Sequence, residues 1–254
     1  MNLPKEFADL LTPTASKWLR KRGTKFSSEE GGYTKIDNAI RLEYCAEIMR
    51  LLETRMKPYL NPVNYATPTD PKSMHWHKKI GMPPLSWRSS TLFCNYDDPA
   101  GTYEGSPELS CPQDGYDTFE GTGIPQLFRS DSWHEWMLNV LGEDESSFLP
   151  ANNNIQTSRY VSGDNIGLHN DYYGTKVRPA WFIDAHISFV NQWVKQQFML
   201  FGHSSIDQVT DVAKMGSVGL YKLPMWHAVT PLVAKRGHEE EAYRWLLILD
   251  RYYR

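Results

Sequence analysis

Cysteine is scarce in this sequence and falls in no recognisable pattern. Cys45, Cys94 and Cys111 are spread over 254 positions, and none sits in a CxxC pair. That argues against a disulfide framework or a zinc knuckle and fits a reducing compartment. No run of about 18 apolar residues is present to span a bilayer. The opening Met-Asn-Leu-Pro-Lys-Glu-Phe lacks the basic and then apolar grammar of a secretory leader. An excess of one charge is also missing. The net charge is -3 with both signs scattered, so no basic block points to nucleic acid and no polybasic arm to a membrane surface. No GxGxxG follows a strand, and no GxxxxGK[ST] or GxSxG occurs, so the usual nucleotide loops and the nucleophile elbow are excluded. Internal repeats and low-complexity segments are absent. The expectation is a cytoplasmic protein with no nucleic-acid and no membrane partner.

What remains is an ordinary globular composition, 41% hydrophobic and 22% charged, rich in rings with nine Trp and fourteen Tyr. The length suits one large β-rich domain or two modest ones. From Met1 to about Tyr59 the pattern reads as helical. Ile36, Ala39, Ile40, Ile48, Met49, Leu51 and Leu52 recur at three- and four-residue spacing. Thr34 or Asp37 is placed to cap the start and Pro58 to end it. Between 60 and 130, frequent prolines break any long helix, and only Trp87 to Cys94 reads as a strand. Asn95 to Gly123 reads as a long acidic loop, suited to closing over a ligand. His75 and His77 form an HxH pair, but no nearby carboxylate or Cys completes a metal site. A clear helix follows, with Ser132 and Glu135 matching a capping box. Trp133, Trp136, Met137, Val140 and Leu141 lie on its apolar face, and Gly142 ends it.

After Pro150 the grammar changes to strands, near 155–161, 166–173, 182–190, 197–203, 205–210, 216–223, 225–233 and 243–252. Eight short strands in about 100 residues predict a sandwich or barrel.

Within them, His169 and Asp171 stand two apart on a strand-like segment, so both side chains aim at one face. A third partner is expected on another strand, and His227, in Met-Trp-His-Ala-Val-Thr-Pro, is the best placed. Two imidazoles and one carboxylate suit Fe(II) and leave the opposite face open to a co-substrate and dioxygen. Arg244 opens the strongly apolar final strand. A guanidinium entering a barrel interior needs a carboxylate, and a ligand carboxylate is the economical partner.

The order HxD, 55 residues (172–226), His-x-Val-x-Pro and a basic residue heading the last strand resembles the Fe(II)- and 2-oxoglutarate-dependent oxygenases, and within them the prolyl 4-hydroxylase-like branch. Tyr160, Gly163, Asp164 and Leu168 match that branch's lead-in to HxD. The resemblance covers residues 155 to 254. It implies a mainly β fold with N-terminal helices, a double-stranded β-helix (jelly roll, cupin-like). The expected organisation is a single oxygenase domain over 1–254, with helical support and lid loops in 1–150 and the metal-bearing core in 151–254. It implies His169, Asp171 and His227 as metal ligands. Arg244 is implied as the partner of the 2-oxoglutarate C5 carboxylate, and Tyr160 as a hydroxyl facing co-substrate or substrate. Two departures stand out. The spacing from His227 to Arg244 is longer than usual in this branch, which makes Arg236, in the charged stretch 235–241, a rival anchor. Arg244 is favoured because a strand start fixes geometry better than a polar loop does. The Gly-Gly-x-Leu common before the fourth strand is Lys-Gln-Gln-Phe-Met-Leu here.

The implied reaction is oxidation, above all hydroxylation, of an unactivated C–H bond with decarboxylation of 2-oxoglutarate to succinate. Asp171 disfavours chlorination, since related halogenases carry Gly or Ala there. The expected substrate is a small molecule such as an amino acid or a biosynthetic intermediate, with Tyr173, Arg178, Trp226 and His186 as candidate contacts. Three of them also have a plain structural reading: Arg178 as a solvated turn residue, Trp226 as packing, His186 as a hydrogen-bonded core histidine. A peptidyl substrate, or a jelly-roll binding module without turnover, is the alternative.

Overall fold

The two ends of one long antiparallel sheet meet face to face. In the computed structural model, residues 3–18, 32–64, 86–99, 107–150, 153–170, 181–202, 206, 208–223 and 225–254 are described. The strands are β1 (Tyr33–Ile36), β2 (Asn61–Asn64), β3 (Trp87–Asn95), β4 (Asn154–Val161), β5 (Asn165–Asn170), β6 (Phe182–Val190), β7 (Val194–Gln196), β8 (Phe198–Gly202), β9 (Gln208–Asp211), β10 (Ser217–Leu223), β11 (Trp226–Val229), β12 (Val233–Ala234) and β13 (Tyr243–Tyr252). Eleven of them form one sheet in the order β1-β10-β6-β13-β4-β3-β5-β11-β8-β9, with β2 added alongside β3; β7 and β12 form a separate ribbon. Tyr33 on β1 packs on Phe201 of β8, ring centroids 4.5 Å apart, and donates to Thr210 on β9 at 3.2 Å. Lys35 Nζ donates to the Asp211 carbonyl at 2.7 Å. The sheet therefore curls into a roll, the double-stranded β-helix architecture.

Strand alternation splits its two faces. On β13, Trp245, Leu247 and Leu249 join Ile183, Ala185, Ile187 and Phe189 of β6 in the large core under the helices. Arg244, Leu246 and Ile248 take the other face and look into the roll. The helical layer comprises α1 (Pro13–Ser16), α2 (Leu42–Leu51), α3 (Gln113–Glu120), α4 (Ile124–Phe128) and α5 (Asp131–Leu141). Beyond α2 the chain runs through one π turn, Leu52–Met56, and a 3-10 turn, Lys57–Tyr59. There Glu53 accepts two bonds from Arg159 at 3.0 and 3.1 Å and one from the Trp245 indole at 3.0 Å, tying helix to sheet. No helix among the described residues is long and apolar enough to cross a membrane.

Three local expectations need correcting. The helical reading of the first 59 residues hides β1: Tyr-Thr-Lys-Ile pairs with β10, and the helix begins only at Leu42 after Arg41, so neither Thr34 nor Asp37 caps it. The stretch 95–123 is not all loop, because α3 buries Tyr116 and Phe119. The α5 cap is Ser130, whose hydroxyl accepts from the Trp133 amide at 3.3 Å, while Ser132 donates to Glu6. Gly142 ends that helix at φ 64°, as expected. Of the eight expected strands, β4, β6, β10 and β13 fall almost residue for residue. The strand expected at 225–233 stops at Val229, and the part of 166–173 beyond Asn170 lies outside the described residues. Two strands, β1 and β2, come unannounced from the first 150 residues, and β3 lies between β4 and β5 in the sheet.

Candidate active site

β5 and β11 run antiparallel, and their register sets His169 directly opposite His227. The two imidazole centroids are 4.0 Å apart, and both side chains are buried. Each ring is fixed in the same way, by a carbonyl two residues earlier. His169 Nδ1 donates to Gly167 O at 2.7 Å, and His227 Nδ1 to Met225 O at 2.9 Å. A carbonyl only accepts, so Nδ1 carries the proton and the lone pair sits on Nε2 of both rings. This is the tautomer that binds a metal through Nε2, and the bond from Nδ1 to the carbonyl orients the ring for it. The donor set fits a divalent transition metal. Among the described residues no group of three His, Cys, Asp or Glu side chains gathers, and Asp171 lies outside them.

A second polar centre occupies the inner face of β13. Arg244 is 1% exposed. Its Nε and one terminal nitrogen donate to Ser188 Oγ at 3.2 and 3.0 Å, and its other terminal nitrogen to Gln197 Oε1 at 2.9 Å. Both acceptors are neutral, and no carboxylate among the described residues forms an ion pair with it. Burial pulls its pKa down to about 10, with the Tyr160, Tyr221 and Tyr33 hydroxyls and the Asp211 carboxylate opposing. Three of the five guanidinium N–H groups are used, which leaves one on each terminal nitrogen. Tyr160, opposite Arg244 on β4, lies with its ring centroid 5.4 Å from the guanidinium carbon. Its hydroxyl is buried with no hydrogen-bond partner among the described residues, and burial raises its pKa. A buried cation and a buried phenol, both short of acceptors, fit a ligand carboxylate.

Between these centres runs a polar wall. Tyr221 on β10 bridges His186 Nε2 at 2.5 Å and Asp184 Oδ2 at 3.2 Å, and its ring lies 5.7 Å from that of His227. His186, Ser188 and Tyr221 line a small cleft, which Tyr33, Lys35 and Met199 help to close. His186 thus combines both readings made from sequence, since it is hydrogen-bonded and it faces the cleft. Trp226 is half-buried beside His227, turned by alternation to the opposite face of β11. Tyr173 and Arg178 lie outside the described residues, as do His75 and His77. Arg236 is exposed in the turn between β12 and β13, and does not share the burial of Arg244. Ser188, Gln197, Asp184 and Tyr221 were missed from sequence. Alternation along Asp-Ala-His-Ile-Ser on β6 was the available signal for Asp184 and Ser188. For Gln197 only the departure from Gly-Gly marked the place.

Solved structures of 2-oxoglutarate-Fe(II) oxygenases share this architecture. An oxidoreductase of the 2OG-Fe(II) oxygenase family from Burkholderia pseudomallei superposes with a TM-score of 0.56 at 12% identity, over 86% of this chain and 84% of that one. A Pseudomonas putida prolyl-4-hydroxylase matches with a TM-score of 0.50 at 12% identity, over 98% of both chains. The non-heme alpha-ketoglutarate-dependent epimerase SnoN from nogalamycin biosynthesis matches with a TM-score of 0.50 at 11% identity, over 89% of this chain and 80% of that one. At such identities the likeness shows the fold. No protein-family model and no curated protein sequence matches the chain.

Proposed function

We propose that the chain is an Fe(II)- and 2-oxoglutarate-dependent oxygenase. On this reading it hydroxylates an unactivated C–H bond of a small molecule, such as an amino acid or a biosynthetic intermediate. The observation that carries the reading is Arg244: a buried guanidinium with neutral partners only, inside the same roll as the paired imidazoles of His169 and His227. His169 and His227 would hold the metal through Nε2, with Asp171 as the third ligand. Arg244 would take the distal carboxylate of the co-substrate with its two remaining N–H groups, and Tyr160 would donate its hydroxyl proton to the same carboxylate. Fe(II) held there would supply the oxidising power, with 2-oxoglutarate and dioxygen consumed to give succinate and carbon dioxide, one oxygen atom going to succinate and the other to the substrate C–H bond. The chain's own work is to orient these partners and to keep water from the site. The wall of Asp184, His186 and Tyr221 supplies fixed polar groups suited to a polar small molecule.

The test is a screen. Purified protein given Fe(II), 2-oxoglutarate and oxygen is expected to release succinate slowly, and faster when a metabolite pool contains its substrate. No succinate under any condition would overturn the reading.

A further inference from the structure

Gln197 is a glutamine with no exposed surface, at the junction of β7 and β8. Its orientation is set without ambiguity. The amide nitrogen donates to the Asp164 carbonyl at 3.3 Å and the Thr230 carbonyl at 3.1 Å, while the amide oxygen accepts from Arg244 at 2.9 Å. A flipped amide would set its oxygen against two carbonyls and its nitrogen against a guanidinium, so only one arrangement satisfies all three partners. The three partners come from three segments. Asp164 follows the tight turn at Gly163, whose φ is 87°. Thr230 lies in the His-Ala-Val-Thr-Pro segment that begins with the candidate ligand His227. Arg244 opens β13. Asp164 and Thr230 are held independently, since Leu232 N donates to Asp164 O and Phe198 N to Thr230 Oγ1, both at 2.9 Å. Gln197 therefore hangs from a fixed frame and reaches the guanidinium from it.

The consequence concerns the guanidinium's remaining donors. Ser188 alone accepts from Nε and one terminal nitrogen, which leaves the plane free to tilt about that oxygen. A second acceptor on the other terminal nitrogen stops the tilt and fixes where the two unused N–H groups point. We propose that Gln197 is the positioning residue of the co-substrate site, setting the affinity for a dicarboxylate by holding Arg244 in the orientation that receives it. The inference rests on the reading of Arg244 given above. It assigns a role to the residue standing where the related branch carries glycine, a residue with no side chain to do this.

The test uses full-length protein loaded with Mn(II) in the absence of oxygen, with 2-oxoglutarate binding measured by calorimetry and melting temperature measured without co-substrate. Gln197→Met keeps the volume and removes all three hydrogen bonds. It should weaken 2-oxoglutarate binding ~10-fold. Gln197→Glu keeps an acceptor but gives Arg244 a charged partner inside the protein, which competes with the ligand. It should weaken binding ~100-fold, more than the Met variant does. In turnover, KM for 2-oxoglutarate should rise with Kd, while kcat at saturating co-substrate falls far less. A merely structural role would lower melting temperature and kcat and leave Kd within twofold in the folded protein; that result, in either variant, overturns the proposal. Wild-type protein that binds no 2-oxoglutarate at all would remove the oxygenase reading itself, and this proposal with it.

Discussion

His169 and His227 face each other across β5 and β11 with ring centroids 4.0 Å apart, and each gives its Nδ1 proton to the carbonyl two residues before it. Main-chain groups already in the sheet thus impose the same tautomer twice. Replacing either imidazole should remove a ligand and leave the sheet standing. His227→Ala is expected to bind Fe(II) or Mn(II) at least ~100-fold more weakly than wild type. Metal content after dialysis, read beside the circular dichroism spectrum, checks this.

Tyr160→Phe separates stability from binding. The hydroxyl is buried with no partner among the described residues, so its removal relieves a desolvation cost. Without ligand the variant should be as stable as wild type or more so, by up to ~1 kcal/mol. If the hydroxyl serves the co-substrate carboxylate, 2-oxoglutarate should bind ~10-fold more weakly. Chemical denaturation and calorimetry measure the two effects separately.

Gly216→Ala tests how the helical layer docks on the roll. Gly216 has φ 63°, and an added Cβ would lie 2.6 Å from Cys45 Sγ and 2.9 Å from the Ile40 carbonyl. The left-handed backbone and the backbone clash together should cost ~2–4 kcal/mol. A drop in melting temperature of about 5–10 °C is expected.

Glu53 gives a pH signature. Burial opposes its ionisation, but the bonds from Arg159, Lys57 and Trp245 outweigh that and leave its pKa below the usual value. A carboxyl depressed in the folded state contributes stability that is complete above its unfolded pKa, near 4.5, and is lost as pH falls through the folded value. Glu53→Gln should therefore be less stable than wild type at pH 7. Its stability should also fall less steeply as the pH drops below that range. Urea denaturation at a series of pH values reads both.

The roll was legible because its strands alternate. Trp245, Leu247 and Leu249 on one face and Arg244, Leu246 and Ile248 on the other follow from the period of two. Arg244 was distinguishable from Arg236 for the same reason, since a strand start is buried where a charged turn is exposed. The imidazole pair was legible through spacing and order. What stayed hidden depends on tertiary placement. β1 is four residues long, its Ile36 continues a three- and four-residue periodicity into α2, and only pairing with β10 makes it a strand. The helix α3 is masked by its Asp and Gly content and by Pro112 just before it, although Tyr116 and Phe119 are three apart on its buried side. The role of Gln197 stayed hidden because its three partners are 33, 33 and 47 residues away in sequence.

The most direct measurement is succinate release from 2-oxoglutarate by purified wild type, His169→Ala and Asp171→Ala, each supplied with Fe(II) and oxygen and no added substrate. Slow release by wild type and none by either variant is the expected result. Equal release by all three would contradict the assignment of His169 and Asp171 to an iron site.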